Sequence, residues 1–77
     1  MSRRRILSGR EVCDILVLHG FQAVRQRGSH IVMQKKLLQL TGENTTITVP
    51  VPNHKELRPG TLSSIIRQSG LPKEVFD

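Results

Sequence analysis

The residues best suited to chemistry lie in the segment 25–32, R-Q-R-G-S-H-I-V, which joins two arginines, a glycine turn, a hydroxyl and His30. No acidic residue lies between Asp14 and Glu43, so this segment is purely cationic. An imidazole has an ordinary pKa of about 6.5 and can take up or give a proton at neutral pH. Neighbouring arginine and lysine side chains stabilise negative charge that develops on a phosphate. The pattern predicts acid–base chemistry on a polyanion, with His30 at its centre.

RNA fits this chemistry better than DNA, because RNA carries its own nucleophile, the 2′-OH. Removal of that proton by a general base contributes roughly 10²–10⁴-fold to the rate, and the products would be a 2′,3′-cyclic phosphate and a 5′-hydroxyl. Ser29 could orient the imidazole or contact phosphate. The alternative interpretation is that His30 only forms a hydrogen bond at the start of a strand.

Basic residues near His30, and before the second predicted helix, are the candidate RNA contacts. The basic residues before the helix are included because the first backbone amides of that helix could also receive a phosphate. With Ser29, the predicted RNA-binding residues are Arg25, Arg27, Lys35, Lys36, Lys55 and Arg58.

No metal site or cofactor is expected from the sequence. The six acidic residues are scattered, and no carboxylate pair has a spacing typical of Mg²⁺ binding. His19, His30 and His54 lack the short spacing of zinc ligands. Cys13 is the only cysteine, so it cannot form an internal disulfide and is predicted to fill space in the core.

The overall charge points to a polyanionic partner. Twelve Lys and Arg against six Asp and Glu give a net charge of +6, which favours nucleic acid first and an acidic protein second. Phe21 and Phe76 are the only aromatic residues, which argues against single-strand binding on aromatic platforms and predicts an aliphatic core. The apolar residues after the N-terminal arginines are too few for a signal peptide, so cytoplasmic residence is expected.

The periodicity predicts a basic arm over residues 1–7 and one domain over residues 8–77. Ser8 and Glu11 form a capping-box pattern at the start of a first helix, which Gly20 ends. Strands are predicted at residues 21–26, 30–38 and 45–51, with Gly28 and Ser29 turning the first into the second. The prolines at positions 50 and 52 indicate an edge strand.

A second helix is predicted with Thr61 as its N-cap and Gly70 as its end, followed by a turn that folds Val75 or Phe76 back onto the core. The resulting fold class is α+β in the order α-β-β-β-α. Its three-stranded antiparallel sheet would carry both helices on one face, because this arrangement buries the apolar stripes.

The sequence resembles the HicA family of toxins, also called YcfA-like, over residues 8–71. The resemblance lies in Glu11-Val12, the helix ending Gly20-Phe21, the R-x-R-G-S-H turn, T-V-P-V at residues 48–51 and K-E-L-R-P-G-T-L-S-S-I-I-R-Q-S-G-L at residues 55–71. It implies a fold similar to the double-stranded RNA-binding domain, ribosome-independent cleavage of mRNA, and neutralisation by a HicB-type antitoxin. The family's catalytic histidine is the one in G-S-H, which is His30.

The sequence departs from the family pattern at the third strand. Family members often have a histidine directly after V-P-x, whereas here Pro52 stands at that place and a histidine follows as His54. His54 is therefore predicted to be a loop residue, and a role as a catalytic helper is the alternative. The connection from Met33 to Thr45 is also longer than in many relatives, so the hairpin is expected to project further.

The resulting hypothesis is a metal-independent mRNA interferase that uses His30 and the RNA 2′-OH, with an acidic antitoxin covering His30. A non-catalytic double-stranded RNA-binding module is the first alternative, and an adaptor whose only partner is a protein is the second.

Overall fold

The computed structural model describes residues 6–77, so most of the predicted basic arm lies outside the described residues. The elements in chain order are α1 (Gly9–Leu18), β1 (Gln22–Arg27), β2 (His30–Leu38), β3 (Asn44–Pro52), α2 (Pro59–Ser69) and a short 3-10 helix (Lys73–Phe76). The predicted α-β-β-β-α order is confirmed. None of the helices in residues 6–77 has the length and apolar character needed to cross a membrane.

The three strands form one antiparallel sheet in the order β1-β2-β3, which makes β3 an edge strand as its prolines indicate. β1 pairs with β2 only as far as Gln22 opposite Gln34. The pairing of β2 with β3 continues to Leu38 opposite Asn44. The β2–β3 hairpin therefore projects beyond β1.

The two faces of the sheet differ in burial, because successive strand residues point to opposite sides. Met33, Val49 and Val51 are fully buried. His30 and Pro50, which by this alternation point to the opposite side, are exposed. One face of the sheet is therefore covered, and we call the other, which carries His30, the open face.

Both helices pack on the covered face and share one core with it. α1 lies across all three strands, whereas α2 packs mainly against β3. The fully or almost fully buried side chains include Val12 and Leu16 of α1, Leu62 and Ile65 of α2, and Phe76. Leu7, the last residue of the predicted arm, is also fully buried, and its carbonyl accepts a hydrogen bond of 2.8 Å from the Leu57 N–H.

The capping signals were correct for α1 and for the end of α2, but not for its start. The Glu11 N–H donates to Ser8 Oγ at 3.0 Å, and the Ser8 N–H donates to Glu11 Oε1 at 2.9 Å, which confirms the capping box. Gly70 ends α2 with a φ of 72°, as predicted. The prediction of Thr61 as the N-cap was wrong: α2 begins at Pro59, with Arg58 as an N-cap that makes no side-chain hydrogen bond. Proline suits this first position because it has no N–H that would need a partner.

Cys13 fills space in the core, as predicted, and we expect it to react slowly. Burial raises the pKa of its thiol, the Asp14 carboxylate raises it further, and Arg10 acts in the opposite direction. Because the thiolate is the nucleophile, iodoacetamide at pH 8 should modify the folded protein far more slowly than the urea-unfolded protein, as measured by mass spectrometry. Equal rates in the two states would contradict this placement.

Candidate functional site

A glycine turn places His30 at one end of the sheet. Gly28 has a φ of 58°, a left-handed conformation that glycine adopts without strain, and with Ser29 it joins β1 to β2. The Ser29 carbonyl accepts a hydrogen bond of 2.6 Å from the Asn53 N–H, which ties the turn to the end of β3. His30 is the first residue of β2, lies opposite Pro52, and is exposed.

A bulge in β1 brings Arg25 and Arg27 to the same face as His30. Ala23 lies opposite Met33, but Arg25 rather than Val24 lies opposite Val32, so β1 contains one extra residue at this point. Without it, the alternation would turn Arg25 towards the covered face. With it, Arg27 lies opposite His30 and both arginines share the open face.

A cavity of about 420 Å³ lies on the open face, and we call it the sheet-face cavity. Between two of its lining residues, the Gln34 Nε2 donates to Thr48 Oγ1 at 3.3 Å. Its lining residues come from all three strands and are Arg25, Arg27, His30, Val32, Gln34, Thr48 and Pro50.

A second cavity, of about 610 Å³, lies between the end of β3 and α2, and we call it the helix cavity. The strand side is formed by His30, Pro50 and Pro52. The helix side consists of Arg58, Gly60, Thr61, Ser64, Ile65 and Gln68. Arg58, Gly60 and Thr61 belong to the start of α2, where the first amides lack partners within the helix and can receive an anion.

His30 is the ionisable residue that lines both cavities. Arg25 and Arg27 lie on one side of it and Arg58 on the other, and no carboxylate is among the lining residues. An exposed imidazole between guanidinium groups has the composition required to hold a phosphodiester and move a proton beside it.

The predicted lysine contacts do not cluster around His30. Lys35 lies opposite Ile47 on the covered face, and its Nζ is 5.8 Å from the centre of the Phe21 ring. Lys36 is on the open face but six residues along β2 from His30, about 20 Å away. Lys55 is exposed in the loop before α2 and lines neither cavity. RNA contact by these lysines stays a prediction, and such a contact would lie outside the surface beside His30.

The other two histidines lie away from both cavities. His54 is exposed in the loop after β3, where its carbonyl accepts a hydrogen bond of 2.9 Å from the Gly9 N–H. His19 is the C-cap of α1, and its N–H donates to the Leu16 carbonyl at 3.0 Å. Within residues 6–77, no group of three or more His, Cys, Asp or Glu is arranged to hold a metal ion.

Sequence reasoning missed the polar side chains that complete the two cavities. Gln34 and Thr48 carry no local signal, since their cavity role depends on strand register. Ser64 and Gln68 are four residues apart on α2, a spacing that places them on one helix face, and this pattern could have marked them.

The comparisons with known proteins identify the family. The family model described as the HicA toxin of bacterial toxin-antitoxin matches residues 9–71, which include every element of the sheet, both main helices and both cavities. No curated protein and no solved structure gives a significant match. Since the matched region is most of the chain and agrees with the resemblance in the G-S-H turn and the start of α2, the chain belongs to the HicA family of toxins from toxin–antitoxin systems.

Proposed function

We propose that this toxin is a metal-independent endoribonuclease that cleaves mRNA. The observation that carries the proposal is the position of His30, which is exposed where the two cavities meet and has arginines on both sides. Membership of a toxin family supports the same conclusion, because destruction of mRNA stops growth.

The proposed reaction is an internal transesterification. The imidazole of His30 takes the proton from a 2′-OH, and the 2′-oxygen attacks the adjacent phosphorus. The bond from phosphorus to the 5′-oxygen breaks, and the leaving oxygen takes a proton from solvent. Arg25, Arg27 and Arg58 are placed to hold the phosphate and stabilise the charge that develops on it.

Incubation of the purified protein with RNA in EDTA tests the reaction. We expect cleavage to yield a 2′,3′-cyclic phosphate and a 5′-hydroxyl, and we expect a single 2′-deoxy substitution to block cleavage at that linkage only. RNA that stays intact but is bound with steep salt dependence would instead favour the non-catalytic binding module.

The proposed protein partner is a HicB-type antitoxin with an acidic surface that covers His30. The charge of +6 and the exposed arginines around His30 favour such a partner. Addition of the antitoxin should stop cleavage, and protein contacts mapped by cross-linking should include the two cavities.

The arginines of the sheet-face cavity should determine how RNA affinity depends on salt. When a side chain no longer neutralises a phosphate of a single strand, the slope of log K against log[salt] becomes shallower by about 0.7. Arg25→Gln and Arg27→Gln should each show this shallower slope in a fluorescence anisotropy titration with a 2′-O-methyl RNA. Arg10→Gln, an exposed substitution on α1 outside both cavities, is the matched control and should keep the wild-type slope. Equal slopes for all four proteins would remove the two arginines from the RNA-binding surface.

A further inference from the structure

The two cavities meet at His30 and Pro50 but contain different chemistry. This difference bears on which RNA sequences are cleaved, and the inference rests on the proposed function. If the scissile phosphate lies at His30, the nucleotide before it and the nucleotide after it can lie on opposite sides of that residue. The cavities are the concave surfaces on those two sides.

The sheet-face cavity offers stacking surfaces together with one amide. Both phenylalanines of the protein are buried, so neither phenyl ring can stack on a base, and among the lining residues only the His30 imidazole is aromatic. The guanidinium planes of Arg25 and Arg27 can take that role, because a guanidinium stacks on base faces as aromatic rings do. Gln34 lies four residues from His30, about 13 Å along β2, and the amide groups that are not bonded to Thr48 can hydrogen-bond a base edge.

The helix cavity is lined by prolines on one side and by polar side chains of α2 on the other. Pro50 and Pro52 form an apolar wall from β3. Facing them, Thr61, Ser64 and Gln68 present two hydroxyls and one amide from α2. Gln68 is exposed, so its amide is available to a ligand.

We propose that a single-stranded RNA crosses the open face at His30, with one base in each cavity, and that Gln34 and Gln68 read these two bases. Base edges are accessible to side chains in unstacked single strands, whereas the grooves of duplex RNA hide them or show them weakly. An amide donates and accepts at once, so it distinguishes bases by their edge pattern. Cleavage preference therefore depends on two positions that flank the scissile phosphate.

Cleavage of a random-sequence RNA pool, followed by sequencing of the cut ends, tests the assignment. The variants are Gln34→Ala and Gln68→Ala. The matched control is Gln39→Ala, an exposed glutamine in the β2–β3 connection that lines neither cavity. We expect each cavity variant to weaken the base preference on one side of the cut by about tenfold or more. The two variants should act on opposite sides of the cut. Profiles that coincide with that of the Gln39→Ala control would overturn the assignment.

A binding measurement separates this inference from the proposed cleavage. An uncleavable 2′-O-methyl tetranucleotide is titrated into ¹⁵N-labelled wild-type protein. We expect amide-signal shifts at Gln34 and Thr48 on one side and at Thr61, Ser64 and Gln68 on the other. If RNA is not cleaved but both groups shift, the RNA path stands and the proposed enzymatic function fails. If one group or neither shifts, the path across both cavities is wrong, whatever the outcome of the cleavage assay.

Discussion

Replacement of His30 by alanine should reduce RNA cleavage by about 10²–10⁴-fold, the range that removal of a general base produces. The reason is geometric, since His30 is the ionisable side chain common to both cavities. The measurement is the rate of release of 2′,3′-cyclic phosphate ends in EDTA. RNA affinity should change little, because the arginines that hold phosphate remain.

The fold of the His30→Ala protein should be intact, because the imidazole is exposed and the strand pairing with Pro52 is made by the backbone. Circular dichroism and thermal unfolding check this. His54→Ala is the matched control: its imidazole is exposed and lines neither cavity, so the rate should stay near that of the wild type. A folded His30→Ala protein that cleaves RNA at the wild-type rate would falsify the mechanism.

The order of elements could be predicted from the sequence because the signals for it are local. The Ser8–Glu11 capping box involves residues three positions apart, and its two hydrogen bonds form within one turn. In β3, Ile47, Val49 and Val51 alternate with Thr48 and Pro50, and burial follows this period of two. Neither feature depends on distant parts of the chain.

The surroundings of His30 could be predicted only in part, because they depend on strand register. The alternation of side chains places Lys35 on the face opposite His30, although the two residues are close in sequence. Arg25 and Arg27 reach the open face only through the bulge after Ala23, and no residue type in that short strand marks a bulge. The helix cavity joins residues from β2, β3 and α2, so its existence depends on packing between distant segments.

The start of α2 shows how two local signals can compete. Thr61 is a favourable N-cap type, but Pro59 suits the first helical position, and the helix begins there. The residues at this start, Arg58, Gly60 and Thr61, line the helix cavity together with His30.

Replacement of Gly9 by alanine should destabilise the whole domain. A Cβ at Gly9 would overlap the carbonyl oxygen of Pro52, so α1 and the end of β3 could not keep their present approach. Two backbone hydrogen bonds join residues 7–9 to the loop after β3: the Gly9 N–H donates to the His54 carbonyl at 2.9 Å, and the Leu57 N–H donates to the Leu7 carbonyl at 2.8 Å. Glycine just after an N-cap is a poor helix former, which is the sequence signal for such a close approach.

The expected decrease in the free energy of unfolding for Gly9→Ala is about 1–3 kcal/mol, the usual cost of forcing a group into packed structure. For a domain of this size, each kcal/mol lowers Tm by about 4–8 °C, so circular dichroism should detect the change. Gly60→Ala is the matched control, because a Cβ there meets no atom within 4 Å, and its Tm should be equal to that of the wild type or slightly higher.

Because Pro52 pairs with His30, the Gly9→Ala substitution should also slow RNA cleavage at temperatures where the protein is still folded. An unchanged Tm for Gly9→Ala would show that α1 and β3 can separate without cost, and would remove this contact from the support of His30.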